Sequence, residues 1–418
     1  TSQEEQAEGI EGSGEACSEK RQVLFVSEAM TSRERMLTAI DGGQPDHVPC
    51  AFMIFAALRD RCGSHGEFVQ RQLEMGLDAF VSVEAWARDR GTEHRDVPGL
   101  GVRYSPDVEI REWRTEEPDG TAVLHKEYAT RAGTLKAEVR ETADWPYPGH
   151  VPLFDDFLVP RSRKFLVETE RDLVALRALL APPSAEGVRA WREVAREARE
   201  FAEEVGVLVA TGWGVGLEAC AWLCGIENAV WMAIDRPDML AEFVDAIGEW
   251  NYKQMEAALE PGVDLYIRRG WYESTDFWSP AMFARFVAPS LRREARLAHE
   301  AGARFGYIMT SGELPLLEMI MDAGVDVLIG ADPVQGKGTR LSEMRRRTEG
   351  RTCIWGGVNG FVTVETGSRE DVRQAVREAM AELGPSGFIL SPVDNVTEDS
   401  PRAWRNVEAL IEAWREGW

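Results

Sequence analysis

Acidic and aromatic side chains collect where short apolar runs of this sequence end. The run at 78–83 delivers Glu84 and Trp86, and the run at 205–210 leads into Thr211-Gly-Trp-Gly-Val-Gly216, with Glu218 just beyond. The run at 263–268 exits through RRGWYESTDFWSP, which carries Tyr272, Glu273, Asp276 and Trp278 and is too polar and aromatic for a simple connector. Tyr307 and Ser311, Asp332, Asn359 and Asp394 stand at the ends of three further helix-separated runs and of the run at 304–309. A carboxylic acid with a raised pKa can protonate a leaving group, and aromatic walls suit an apolar or cationic ligand. Glu84, Asp276 and Asp394 are therefore the catalytic candidates, and the others are candidates for holding a substrate.

Each has a plainer use. Asp276 can cap the helix that Ser279 begins, Asp332 can fix a turn before Pro333, and Asp394 can make a similar turn before the last helix. Tyr272, Trp278 and Trp213 can simply pack. The Gly-rich turn 211–216 lacks the acidic residue and the βαβ setting of a dinucleotide fingerprint, so it reads as a strand-to-helix loop over a cavity. The six cysteines include no CxxC pair, Cys220 and Cys224 fall on a helix face with His299 on another, and His94, His125 and His150 show no metal spacing.

Those positions share a fold only if the runs are parallel strands. Runs at 48–54, 78–83, 205–210, 263–268, 304–309, 326–330, 352–356 and 387–391 alternate with amphipathic helices, as in a parallel sheet buried on both faces. Eight strand–helix units predict a (β/α)8 TIM barrel, whose chemistry lies past the C-terminal strand ends. A capped helix at 31–41 precedes it as an N-terminal extension, and one long helix is expected from Ser279-Pro280 to Ala301. Between about 97 and 167, alternating runs punctuated by Pro-Asp-Gly and Ala-Gly predict an antiparallel β insertion after the second strand. Residues 1–27 are Glu/Gly/Ser-rich and are expected to be flexible; residues 28–418 are expected to form one barrel domain.

With 418 residues and 44% hydrophobic composition, the chain can bury a full core. Its net charge of −24 repels nucleic-acid phosphate and anionic membrane, which favours a small molecule or a protein as partner. Residues 1–30 carry seven Glu against Lys20 and Arg21, unlike a signal peptide, and no run reaches the roughly 18 apolar residues of a span. A reducing cytoplasm fits the cysteine usage.

The opening MTSRERMLTAIDGGQPDHVPC, together with LLEMIMDAGVDVLIGADP, WGGVN, TGSREDVRQAVREAM and GFILSPVDN, resembles the uroporphyrinogen decarboxylase superfamily from about Met30 to the end. The resemblance implies a TIM barrel, often dimeric, that serves one of two chemistries: decarboxylation of tetrapyrrole acetate arms, or cobalt-corrinoid methyl transfer, including O- and N-demethylation. The departures separate them. Where the decarboxylases hold substrate carboxylates with a Met-Arg-Gln-Ala-Gly-Arg stretch, this chain reads ALRDRCGS, in which Arg59 or Arg61 could supply one guanidinium. The acid nearest their catalytic Asp is Glu84, and their tyrosine falls on Ala221. Where zinc-using methyltransferases of the superfamily have His-x-Cys and a later Cys, this chain has Met309-Thr310-Ser311 and Asp394, so zinc is not expected there.

The expectation is thus a methyltransferase that moves a methyl group from a small O- or N-methyl substrate to a cobalt corrinoid on a partner protein. Barrel-mouth carboxylates assist the leaving group. No Asp-x-His-x-x-Gly corrinoid motif is present, so the corrinoid must come in trans. A tetrapyrrole or aromatic-acid decarboxylase and a non-catalytic corrinoid- or partner-binding barrel stand as alternatives.

Overall fold

A computed structural model describes residues 29–92, 95–96, 103–104 and 107–418. The segment 1–27 and His94 lie outside the described residues. Seven runs of apolar residues form one parallel sheet in sequence order: β1 (Phe80–Ser82), β2 (Leu208–Gly214), β3 (Leu265–Arg268), β4 (Arg304–Ile308), β5 (Val327–Ala331), β6 (Cys353–Asn359) and β7 (Phe388–Val393). Every residue of β3, β5, β6 and β7 is buried, as strands covered on both faces require. Val209, Tyr266 and Phe305 belong to the core facing the helices. Ala210, Ile267, Ile308, Ile329 and Trp355 form a second cluster inside the curl of the sheet. Helix Ser32–Ile40 starts in a reciprocal Thr31–Glu34 capping box and contributes Met36, Ala39 and Ile40 to that inner cluster.

The strand expected at 48–54 is reduced to two isolated bridges, Cys50 to Leu390 and Ile54 to Asn395. Local chemistry explains the loss. Pro49 has no N–H to give, and the N–H groups of Met53 and Ala56 donate to side chains, Ser391 Oγ (2.8 Å) and Asn395 Oδ1 (3.1 Å), instead of to a ladder. The segment still runs beside β7, where Ala51 N donates to Leu390 O, and reaches the approach to β1, where Asp78 N donates to Cys50 O at 2.8 Å.

The helix expected from 279 to 301 is two helices, Pro280–Phe286 and Ala288–Glu300, broken at Val287 just ahead of Pro289. Within the insertion, strands Glu109–Glu116, Ala122–Thr130, Gly133–Arg140 and Ser162–Lys164 form a four-stranded antiparallel sheet. Among the described residues, no single helix is long and apolar enough to cross a membrane.

Candidate functional site

Beyond β1 the chain turns at once into helix Val83–Asp89, capped by Ser82, and this places Glu84 in the helix's first turn, over the end of the sheet. Its Oε1 accepts from Thr211 Oγ1 (2.7 Å) and from the Gly212 amide (2.8 Å), and its Oε2 accepts from Ser82 Oγ (3.2 Å). Burial pushes this carboxyl up to about 7, and the three hydrogen bonds pull the other way without winning. Gly212 is required here: its φ is +129°, and a Cβ would sit 2.3 Å from the Ile267 carbonyl oxygen.

Glu84 borders a cavity of about 420 Å³ at the C-terminal side of the sheet, walled by Phe52, Phe80, Trp213, Ile267, Ile308 and Trp355, among others. His65 also faces it. Its Nε2 accepts from the Ser82 amide (2.9 Å), and burial, helped by Arg59, lowers its pKa to about 4, so it stays neutral. Arg59 reaches the same cavity but is paired with Asp89 at 2.7 Å. The ring of Trp213 hangs on a backbone with φ of +65°, a left-handed conformation rare for a bulky residue. Among the described residues, Asp394, directly after β7, also has a positive φ, at +66°. Burial, Asp156 and Asp332 raise its carboxyl, and Arg269 pulls it back.

A buried ion network lies beside the cavity. Arg268, the last residue of β3, is wholly buried and donates to both oxygens of Glu273 (2.8 and 3.1 Å); Glu294 lies 3.3 Å from its Nε, and Tyr307 Oη donates to Glu273 Oε2 (2.6 Å). The next residue, Arg269, lies 3.2 Å from Glu218 through Nε, with its guanidinium over Trp222 (4.6 Å), Trp271 (4.7 Å) and Trp213 (5.3 Å). That Glu218 contact is a charge pairing and not an aligned hydrogen bond. Burial lifts the carboxyls of Glu218 and Glu294 to about 7 each, against the pull of Arg269 and Arg268 respectively. Sequence reasoning passed over these arginines, although two charged residues ending an apolar strand were the signal: arginines so placed must carry their counter-ions with them.

Other candidates stand apart from the cavity. Trp86 packs on Phe201 (5.1 Å) beneath Arg90, towards the outer helices. Trp278 is 1% exposed and gives its N–H to Tyr272 O (2.6 Å), while Tyr272 stacks on Phe277, its phenol pushed up to about 12 by burial. Asp276 does not cap the Ser279 helix, where Ser279's own hydroxyl accepts from Met282 N; it accepts from Ser274 Oγ and pairs with Lys337 at 3.5 Å, outside the cavity wall. Ser311 Oγ accepts from Lys337 N (2.9 Å). Asp332 accepts from Val334 N and Gln335 N in a turn of its own, and Asn359 Nδ2 donates to its Oδ2 (2.7 Å). Asn359 Oδ1 caps the helical turn Gly360–Glu365. The buried thioether of Met309, the hydroxyl of Ser311 and the lone carboxylate of Asp394 make a poor zinc donor set, and no group of three His, Cys, Asp or Glu side chains fit for a metal occurs among the described residues.

A parallel α/β sheet with its polar cluster past the C-terminal strand ends defines a broad class of enzyme folds. The family model for uroporphyrinogen decarboxylase (URO-D) matches residues 158–417, well over half of the chain, and the chain belongs to that family. Among solved structures, a methyltransferase from Methanosarcina mazei is similar over 93% of this chain and 99% of its own, at 18% identity and a TM-score of 0.56. A B12-independent methionine synthase from Shewanella sp. covers 83% of this chain and 84% of its own at 12% identity and a TM-score of 0.41. A 3-keto-D-glucoside 4-epimerase from E. coli covers 54% and 86% at 12% identity and a TM-score of 0.34. At 18% identity the likeness to the Methanosarcina protein concerns the fold alone. No curated protein matches the sequence at a significant level.

Proposed function

We propose that this chain is a methyltransferase that moves a methyl group from a small O- or N-methyl donor to a cobalt corrinoid carried by a partner protein. The observation that carries the reading is the pairing of an aromatic-lined cavity of about 420 Å³ with a carboxyl held near pKa 7 on its wall. A methyl ether or methylamine is a poor electrophile because its leaving oxygen or nitrogen departs badly as an anion. Glu84, protonated over much of the neutral range, gives that atom a proton as the carbon–heteroatom bond breaks. Thr211 and Gly212 hold the carboxyl in place while it does so. His65, neutral because of its burial, and the apolar walls make the surroundings of that proton of low polarity. The corrinoid is a substrate in this scheme, the methyl acceptor, and zinc-assisted thiol activation has no part in it. The reading also takes the segment 50–54 as the eighth stave that closes the sheet into a barrel.

The family's decarboxylase chemistry on tetrapyrroles is less well served. An octa-carboxylate macrocycle calls for several free arginines, and the arginines on this cavity wall are two, Arg59 and Arg88, of which Arg59 is paired with Asp89 and Arg88 also has a partner of its own. The deciding experiment mixes the purified protein with a reduced corrinoid protein and a broad panel of methyl ethers and methylamines while the methylcobalamin absorbance is followed. Growth of that band supports the reading. Its absence across the panel, or carbon dioxide release from uroporphyrinogen instead, overturns it.

A further inference from the structure

Three tryptophans beside an acidic mouth suit a cationic ligand, but here the cation is already present. Arg269 is 11% exposed, lies within 5.3 Å of the Trp213, Trp222 and Trp271 rings, and fills the space a quaternary ammonium would take. Its guanidinium makes no hydrogen bond to a described residue. Nε faces the fully buried Glu218 at 3.2 Å without alignment, and Asp156, on a turn of the β insertion, stops 3.7 Å from Nη2, beyond hydrogen-bond reach. Arginine's fork of donors matches a carboxylate bidentately, and a guanidinium buried among indoles with its donors unspent is pre-organised to accept one. Trp213 joins this group to the cavity, because its ring lines the cavity that Glu84 borders.

We infer that Arg269 is an anion-binding, specificity-determining residue, and that the small molecule taken up here bears a carboxylate at one end and an apolar, aromatic-sized body that crosses Trp213 into the cavity. Asp156 competes with that carboxylate from a partly exposed turn (40% exposed), so the insertion tunes how strongly the anion is held. Asp394 feels the charge of Arg269 as well, and burial raises its carboxyl above the ordinary carboxylate range. Assigning the carboxylate to a methyl donor rests on the function proposed above; the anion site itself does not.

The test is a tryptophan-fluorescence titration with 4-methoxybenzoate, its neutral counterpart 4-methoxybenzyl alcohol, and benzoate, which has no methyl group to give. The expected result is at least tenfold tighter binding of both carboxylates than of the alcohol, a preference lost in Arg269→Gln and weakened in Arg269→Lys. Should Arg269→Gln fail to fold, Asp156→Asn decides: it is expected to tighten 4-methoxybenzoate several-fold and leave the alcohol unchanged. Equal affinities for acid and alcohol, or an Asp156→Asn protein with unaltered preference, overturn the proposal. Arg269-dependent benzoate binding without methyl transfer from any donor sinks the methyltransferase reading and keeps the anion site. Methyl transfer from neutral donors with no preference for carboxylates does the reverse.

Discussion

Thr211 Oγ1 and Glu84 Oε1 lie 2.7 Å apart, a hydrogen bond that ties the end of β2 to the helix that follows β1. One oxygen of the carboxyl is thereby spent on the scaffold, through Thr211 and Gly212. The other accepts from the Ser82 hydroxyl at 3.2 Å and is the one to carry a proton to the cavity. Glu84→Gln keeps an oxygen for Thr211 and Gly212 but has no acidic proton, so turnover should fall by roughly 10²–10⁴ with the fold retained. In the native protein, activity should decline as pH rises above about 7, where the acid form is lost.

The same substitution has an opposite effect on stability. The folded pKa of Glu84, about 7, lies above the ordinary 4.5, so folding favours the protonated form. Its contribution is present in full below about pH 4.5 and is lost as pH rises through 7. Glu84→Gln should therefore be more stable than the native protein at pH 8, by ~1–3 kcal/mol, and show no such gain at pH 4.5. Thermal unfolding at the two pH values checks this, and equal shifts at both would mean that the carboxyl is not strained by its burial.

Gly216 opens the helix Leu217–Cys224, and the space around it leaves no room for a side chain. A Cβ there would lie 1.7 Å from Arg268 Nη2 and 2.7 Å from Glu273 Oε1. Gly216→Ala should break this buried ion pair and cost roughly 3–5 kcal/mol. Gly248, inside helix Pro237–Leu259 with nothing within 4 Å of an added Cβ, supplies the contrast. Gly248→Ala should stabilise by about 0.5–1 kcal/mol. Urea denaturation of the pair would show whether the Arg268 network is as intolerant as its packing implies.

Trp213 combines a strained backbone with an aromatic wall. Trp213→Gly should recover part of the roughly 1–3 kcal/mol stored in the left-handed backbone, yet strip the cavity of its ring and Arg269 of one indole. Near-unchanged melting temperature with turnover and ligand affinity both severely reduced is the expected pattern. Severe unfolding instead would assign the ring to the core.

Much of this was open to reading from the residues. The runs that became β2 to β7 are apolar and separated by amphipathic helices, so periodicity located them, and Glu84, Trp213 and Arg59 line one cavity. What escaped were effects that depend on partners far away in sequence. The segment 50–54 lost its ladder to side chains of Ser391 and Asn395 some 340 residues later, and Pro289 split a helix whose apolar face continues across the break. Arg268 and Arg269 carried no motif. Their meaning comes from Glu294, Glu218 and three tryptophans that only the fold brings to them. Asp276 lay at a favourable strand end, but its loop turns towards Lys337.

The insertion has a pH response of its own. His150 is 4% exposed and stands between two carboxylates, 3.0 Å from Asp96 and 2.9 Å from Glu112; the ammonium of Lys126 joins the same two acids and also donates to Val151 O. Burial opposes a charge on this ring and Lys126 repels it, yet the hydrogen bonds to Asp96 and Glu112 together outweigh both, and the imidazole pKa is raised from 6.5. A raised histidine stabilises the fold in full below pH 6.5 and loses that contribution as pH climbs through the folded value. Trp145 reports on it directly, since its N–H donates to His150 O at 3.1 Å. The fluorescence of the native protein should therefore show the packing around Trp145 loosening as pH rises above 6.5, ahead of global unfolding. In His150→Gln, which cannot titrate, that response should disappear. A response that persists in the variant would place the titrating group elsewhere and leave the cluster a purely structural ion network.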